Sequence, residues 1–147
     1  MATAEQMKLV FRLGQIRFSL PVDHLVEIRQ GSAGGIDRTC QDLTGGQLGS
    51  IHHQDGQLGV YDLSYYLQLP PWSGSGEIDL LVLSGSDGPW AVPVDEVVGI
   101  FPNEAFSPLT TAPLLTHICK GEGVACEQWQ DTLLFCGDAG QWERLRG

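Results

Sequence analysis

Residues 7–13 (Met-Lys-Leu-Val-Phe-Arg-Leu) place Leu9, Phe11 and Leu13 on one side of an extended segment, the period of a half-buried strand. Gly14-Gln15 turns the chain. Ile16, Phe18 and Leu20 then resume the alternation with Arg17 and Ser19 facing out, so the two runs predict a β-hairpin. Pro21-Val22-Asp23 ends it, and Leu25–Arg29 predicts a third strand. Glycines punctuate residues 30–49, which read as loop. Ser50–His53 and Gln57–Tyr61 flank Gln54-Asp55-Gly56, a hairpin signal, and Leu63–Leu69 predicts a short helix. After the linker 70–76 the pattern restarts. Ile78–Leu83 is nearly continuous in apolar residues, Ser86-Asp87-Gly88 turns, Trp90–Val94 returns, and Val97–Phe101 extends again. Residues 102–116 are rich in Pro and Thr and read as a surface wrap. Val124–Glu127 and Thr132–Cys136 predict a last hairpin, and Asp138 is placed to cap a terminal helix ending near Arg146.

The two halves repeat. Pro21-Val22-Asp23-His24-Leu25-Val26-Glu27-Ile28 aligns with Pro93-Val94-Asp95-Glu96-Val97-Val98-Gly99-Ile100, sharing Pro, Val, Asp, Val and Ile. At the same offset Leu9-Val10 falls on Leu81-Val82 and Phe18 on Trp90, and the closing hairpins Gly49–Tyr61 and Gly123–Phe135 correspond roughly. The reading is mainly β: one domain over 1–147 with lobe one at about 7–69, a linker at 70–77, lobe two at about 78–138 and a tail at 139–147. A lobe of about 60 residues is marginal alone, so the two are expected to share a hydrophobic core.

Composition narrows the function. The 147 residues carry 8 Lys+Arg against 18 Asp+Glu, a formal charge of −10. That excludes a basic footprint for nucleic acid and disfavours anionic lipid. No apolar run approaches the roughly 20 residues that span a bilayer. With no leader-like N-terminus, a cytoplasmic address is expected. Cys40, Cys119, Cys126 and Cys136 form no C-x-x-C pair, so no metal and no cofactor are expected and the cysteines read as small hydrophobes. His52-His53 would point to opposite faces of a strand. No nucleophile elbow, P-loop, dinucleotide fingerprint or H-E-x-x-H occurs, so no enzyme is expected. The alternatives are a hydrolase-type site between the lobes using Asp23, Asp62 or Asp95, and an SH3-like module binding Pro-rich peptide through Tyr61, Tyr65, Tyr66 and Trp72.

The order of these elements resembles the CheW family of chemotaxis coupling proteins over roughly residues 7–138. The family's F-x-L-G-x-x-x-(Y/F) hairpin matches Phe11-Arg12-Leu13-Gly14-Gln15-Ile16-Arg17-Phe18. Its V-x-E-I segment reads Leu25-Val26-Glu27-Ile28-Arg29 here, and its second-half V-D-x-V-x-x-(V/I) matches Val94-Asp95-Glu96-Val97-Val98-Gly99-Ile100. The resemblance implies two SH3-like five-stranded β-barrel lobes, packed together with short helices, and a non-enzymatic signalling adaptor. Its implied partners are the regulatory domain of a chemotaxis histidine kinase and the cytoplasmic tip of a chemoreceptor, with recruitment to membrane receptor arrays but no direct membrane insertion and no nucleic acid.

Carried over by position, the receptor-side candidates are Leu25, Glu27, Gln54, Asp79 and Ile100, and the kinase-side candidates are Gly49, Ile51, Leu58 and Val60. Leu25 and Ile100 equally fit core packing, and Glu27 and Asp79 equally fit solvated carboxylates. One departure stands out. The family's N-L-R-G is His52-His53-Gln54-Asp55 here, and its proline is Gly59. The resemblance puts the lost arginine beside Glu27, so Gln54 is expected to replace a bidentate ionic fork with one weaker hydrogen bond.

Overall fold

The computed structural model describes residues 7–42, 44–54, 56–109 and 126–146. The alternating segments form the expected strands: β1 (Met7–Leu13), β2 (Ile16–Pro21), β3 (Leu25–Ser32), β4 (Gln47–His53), β5 (Gly56–Tyr61), β6 (Glu77–Leu83), β7 (Trp90–Val94) and β8 (Glu96–Pro102). They are followed by β9 (Phe106–Leu109), β10 (Cys126–Trp129) and β11 (Thr132–Cys136). Two helices, α1 (Leu63–Tyr66) and α2 (Ala139–Arg146), complete the chain. The expected loop at 30–49 is shorter than its glycines suggest, because β3 runs on to Ser32 and β4 begins at Gln47. Helix α1 ends before Leu69, where Gln68 takes a left-handed φ of 59°. The expected wrap at 102–116 instead contains β9, an outer strand whose Pro108 suits a sheet edge. Residues 110–125, with His117, Cys119 and Val124, lie outside the described residues, as does Asp55 of the predicted turn.

Two sheets form, in the strand orders β8-β1-β2-β11-β10-β9 and β3-β6-β7-β5-β4. Each draws on both sides of the 70–77 segment, so the two SH3-like lobes exchange strands rather than following the sequence halves. The exchange is reciprocal. In each copy of the repeat a hairpin (β1-β2 or β6-β7) is followed by a third strand that pairs with the other copy's first strand: β3 with β6, and β8 with β1. Each hairpin's second strand then takes a parallel partner from a closing hairpin, β2 with β11 and β7 with β5. Even the irregularities repeat. Leu25 and Glu27 pair with Leu83 and Val82, leaving Val26 bulged, while Val97 and Gly99 pair with Phe11 and Val10, leaving Val98 bulged. Both closing hairpins place a glutamine in the left-handed region at the turn, Gln54 at φ 51° and Gln130 at φ 55°.

The corners of the exchange are tied across the repeat. Asp95, of the second Pro-Val-Asp, accepts from the Gly14 amide at 2.5 Å, and its own amide donates to the Arg12 carbonyl at 2.9 Å. His24, after the first, accepts through its carbonyl from the Ser84 amide at 3.0 Å.

Alternation on twisted sheets yields three apolar clusters. One faces of β1, β2, β6 and β7 meet in a central seam of Leu9, Phe11, Leu13, Phe18, Leu20, Leu81, Leu83, Trp90, Val92 and Val94, closed by Leu63 of α1 and Trp142 of α2. The opposite faces fill the lobes, Leu48, Ile51, Leu58, Val60, Leu80 and Val82 in one and Val10, Phe106 and Leu134 in the other. The second lobe departs from its copy. Lys8 and Ser19 stand at the repeat positions of Leu80 and Ala91, and Glu127 joins them: Lys8 Nζ lies 2.8 Å from Glu127 Oε2, and the Ser19 hydroxyl donates to Oε1. Ser19, expected to face out, is therefore buried, because its strand is covered on both faces.

Candidate partner-binding surface

The outer strands β3 and β8 carry three of the exposed large apolar side chains; Leu133 of β11, Tyr65 of α1 and Leu145 of α2 are the others among the described residues. Val26, Ile28 and Ile100 are 52%, 37% and 43% exposed, large values for residues in strands that flank filled cores. The repeat explains why they occur together. Ile28 and Ile100 are equivalent positions, each opposite a buried leucine of the partner strand (Leu81 and Leu9), and each strand is bulged at its valine. A bulged outer strand twists away from the sheet and turns consecutive side chains to solvent. Strand β6 of one sheet packs against β8 of the other, so the surface spans both lobes. Sequence patterning missed Val26 and Ile28 because an apolar residue in a strand reads as core; the pairing of the two Val-x-Ile segments was the available signal.

Of the receptor-side candidates, Glu27 and Ile100 are exposed, Ile100 on the seam side of β8 and Glu27 on the lobe side of β3, where its cross-strand partner is Val82. Leu25, at the start of β3, is half-buried against the central seam, opposite Leu83. Asp79 lies apart, on β6 between Gln30 and Val94, lining an open groove of about 490 Å³ with Gln30, Gly31, Glu77, Ile78 and Asp95. Gln54 does not take up Glu27. Its backbone turns left-handed at the hairpin tip and its side chain stays exposed, so the residue before it makes the contact: His53 Nδ1 lies 3.5 Å from Glu27 Oε1. Arg29, two residues along β3 and so on Glu27's side of the strand, brings Nη1 to 3.4 Å from the same nitrogen. A basic group thus stands near Glu27 after all, supplied by β3 instead of the β4–β5 tip. The structure joins Glu27, Arg29 and His53, and sequence reasoning missed the last two because their strands meet through lobe curvature.

The kinase-side candidates are internal. Ile51, Leu58 and Val60 fill the first lobe's core. Gly49, also buried, adopts φ 149°, and a Cβ there would fall 2.2 Å from the Asp37 carbonyl oxygen. That close approach lets Asp37 and Ser50 exchange backbone hydrogen bonds of 2.7 and 2.9 Å, which seat the 33–42 segment on β4. What the β4–β5 hairpin offers outward is His52, Gln54, Gly56 and Gln57.

Other candidates are occupied by structural contacts. Asp62 caps α1, accepting from the Ser64 amide at 3.0 Å and the Trp72 amide at 3.2 Å; burial nevertheless pushes its carboxyl above the ordinary value. Trp72, a candidate for the Pro-rich-peptide alternative, packs between the central seam and the first lobe's core. Tyr65 and Tyr66 donate to the carbonyls of Thr44 and Gly45, each at 2.6 Å, and burial pushes Tyr66 up to about 12. Tyr61 lies under the Arg146 guanidinium, 4.5 Å from its ring centre. These aromatics form no open groove of the kind a Pro-rich peptide needs. Cys136, half-buried near Glu127, has its thiol raised by burial first and by that carboxylate second. Among the described residues no group of three or more His, Cys, Asp or Glu side chains is placed to hold a metal ion, and no helix is long and apolar enough to cross a membrane.

Comparison with known proteins agrees with this architecture. A sequence model of the CheW-like domain matches residues 8–124. The fold is similar to that of the scaffolding protein TtCheW from Thermoanaerobacter tengcongensis, with a TM-score of 0.73 and 15% sequence identity, covering 94% of this chain and 92% of that one. No curated protein matches the sequence.

Proposed function

Since this chain belongs to the CheW-like domain family, a family of scaffolds, we propose that it is a non-enzymatic adaptor coupling a chemotaxis histidine kinase to chemoreceptors. The observation that carries this reading is the exposure of three apolar side chains, Val26, Ile28 and Ile100, on the two outer strands β3 and β8. Side chains of this kind suit the face of a helix, and a chemoreceptor tip is a helical hairpin. Burying one such side chain fully is worth about 1.5–3 kcal/mol, so these three contribute part of a binding energy that the rest of the interface completes. Leu25 packs into the central seam at the start of β3, and Asp79, in its separate groove, is not assigned to this surface.

On the kinase side, Ile51, Leu58 and Val60 hold the β4–β5 hairpin in shape and Gly49 holds the segment across it. Contact falls to the hairpin's exposed positions His52, Gln54, Gly56 and Gln57. The two surfaces use different strands, which suits an adaptor that holds both partners at once. A cytoplasmic location beside membrane receptors follows from that role.

Calorimetry tests it. The chain is titrated with a receptor-tip helical hairpin and, separately, with a kinase regulatory domain from the same organism. Both are expected to bind, and Ile100→Asp is expected to weaken the receptor tip by at least about tenfold while sparing the kinase domain. Absence of binding to either partner overturns the adaptor reading, and equal loss with both overturns the division of surfaces.

A further inference from the structure

A single nitrogen, His53 Nδ1, faces both Arg29 Nη1 at 3.4 Å and Glu27 Oε1 at 3.5 Å. The two contacts need opposite forms of the ring. Arg29 donates, so it requires Nδ1 as a bare lone pair, with the proton on Nε2. Glu27 accepts, so it requires Nδ1–H. With its proton on Nε2, neutral His53 holds Arg29 and leaves Glu27 unengaged. The imidazolium binds Glu27 and repels Arg29. Imidazoles change charge between about pH 5 and 8, within reach of ordinary conditions.

Among the described residues, Glu27 and Arg29, both from β3, are the charged side chains meeting His53. Its cross-strand neighbour on β5 is Gly56, and its chain neighbours His52 and Gln54 are exposed. The His53 side chain is only 15% exposed while that of Glu27 is 44% exposed, so the selector is sheltered and the group it governs is accessible.

We propose that His53 is a proton-operated selector that frees Glu27 for a partner's cationic side chain when neutral and withdraws it when protonated, so that docking on the β3–β8 surface weakens on acidification. This rests on the adaptor reading for the partner, but the selector itself belongs to the isolated chain and is tested there first.

Long-range nitrogen–proton correlation spectra of the ¹⁵N-labelled chain report the His53 tautomer, and the Arg29 guanidinium signals are followed over the same pH range. The expected result is an Nε2–H tautomer at high pH and Arg29 signals that move with the His53 midpoint. His53→Gln, which keeps a polar side chain but does not titrate, is expected to hold the Arg29 signals still. An Nδ1–H tautomer at high pH, or Arg29 signals indifferent to His53, overturns the selector. Receptor-tip binding at about pH 5.5 is then expected to be about two- to fivefold weaker than at about pH 8, the worth of one exposed ion pair, and to lose that difference in His53→Gln. Binding that ignores pH overturns the coupling alone. Absence of binding at both pH values overturns the adaptor reading, while the spectra still decide the selector.

Discussion

Lys8, Ser19 and Glu127 show how one lobe departed from its copy. The equivalent positions of Lys8 and Ser19 in the other lobe are Leu80 and Ala91, both buried and apolar. The second lobe instead holds a charge pair whose carboxylate side chain is only 6% exposed. Desolvating two ions costs several kcal/mol, and their attraction returns it only while both are present. Lys8→Ala leaves the Glu127 carboxylate buried without its counter-ion, and is expected to destabilise the chain by about 3 kcal/mol in chemical denaturation. The double replacement Lys8→Leu/Glu127→Leu imitates the other lobe and is expected to recover most of that loss. A double variant no better than Lys8→Ala shows that the pair contributes more than mutual compensation. The residue scale is where sequence reasoning was weakest. Nothing in the alternation of β2 distinguishes Ser19 from Arg17, because the face that reads as solvent is covered by a lobe built from distant strands.

The elements were more legible. The strands of the two repeat copies follow from period-two alternation in β1 and β2, a nearly continuous apolar run in β6 and the turns between them, and α2 begins where Asp138 is placed to cap it: the Gln141 amide donates to Asp138 Oδ1 at 3.1 Å. What the sequence did not disclose is how α2 is fastened. Trp142 is buried edge-on to Phe11 and Phe18, at ring-centre distances of 6.2 and 6.3 Å. The Arg146 guanidinium lies 4.8 Å from the centre of the Trp90 ring. Glu143 accepts from the Ser86 amide and hydroxyl, contacts that hold its carboxyl below the ordinary value of 4.5. Such a group stabilises the docked helix fully above about pH 4.5, and the contribution is lost as pH falls through the lower folded value. Trp142 fluorescence is therefore expected to report loosening of α2 on acidification below about pH 4.5, with a flatter profile in Glu143→Gln. An identical profile in that variant removes Glu143 from the account.

At the scale of the whole molecule, the repeat is the organising fact. Two copies of a hairpin-plus-strand unit exchange their third strands, so neither lobe is built from one half of the chain and the central seam belongs to both. The repeat and the two-lobe reading were legible because Pro-Val-Asp recurs with its flanking apolar pattern. The exchange was not, because which strand pairs with which depends on contacts remote in sequence. The same exchange makes β3 and β8 outer strands and leaves Val26, Ile28 and Ile100 uncovered, although in isolation each reads as core. It also sets Arg29 and His53 around Glu27, where the family pattern alone pointed to Gln54. The central claim is that this β3–β8 surface receives a helical partner. The most direct test is chemical-shift mapping on the ¹⁵N-labelled chain with a receptor-tip helical hairpin. The account predicts perturbed amides along β3 and β8, centred on Val26, Glu27, Ile28 and Ile100. Perturbations confined to the β4–β5 hairpin or to α2, with β3 and β8 silent, would contradict it.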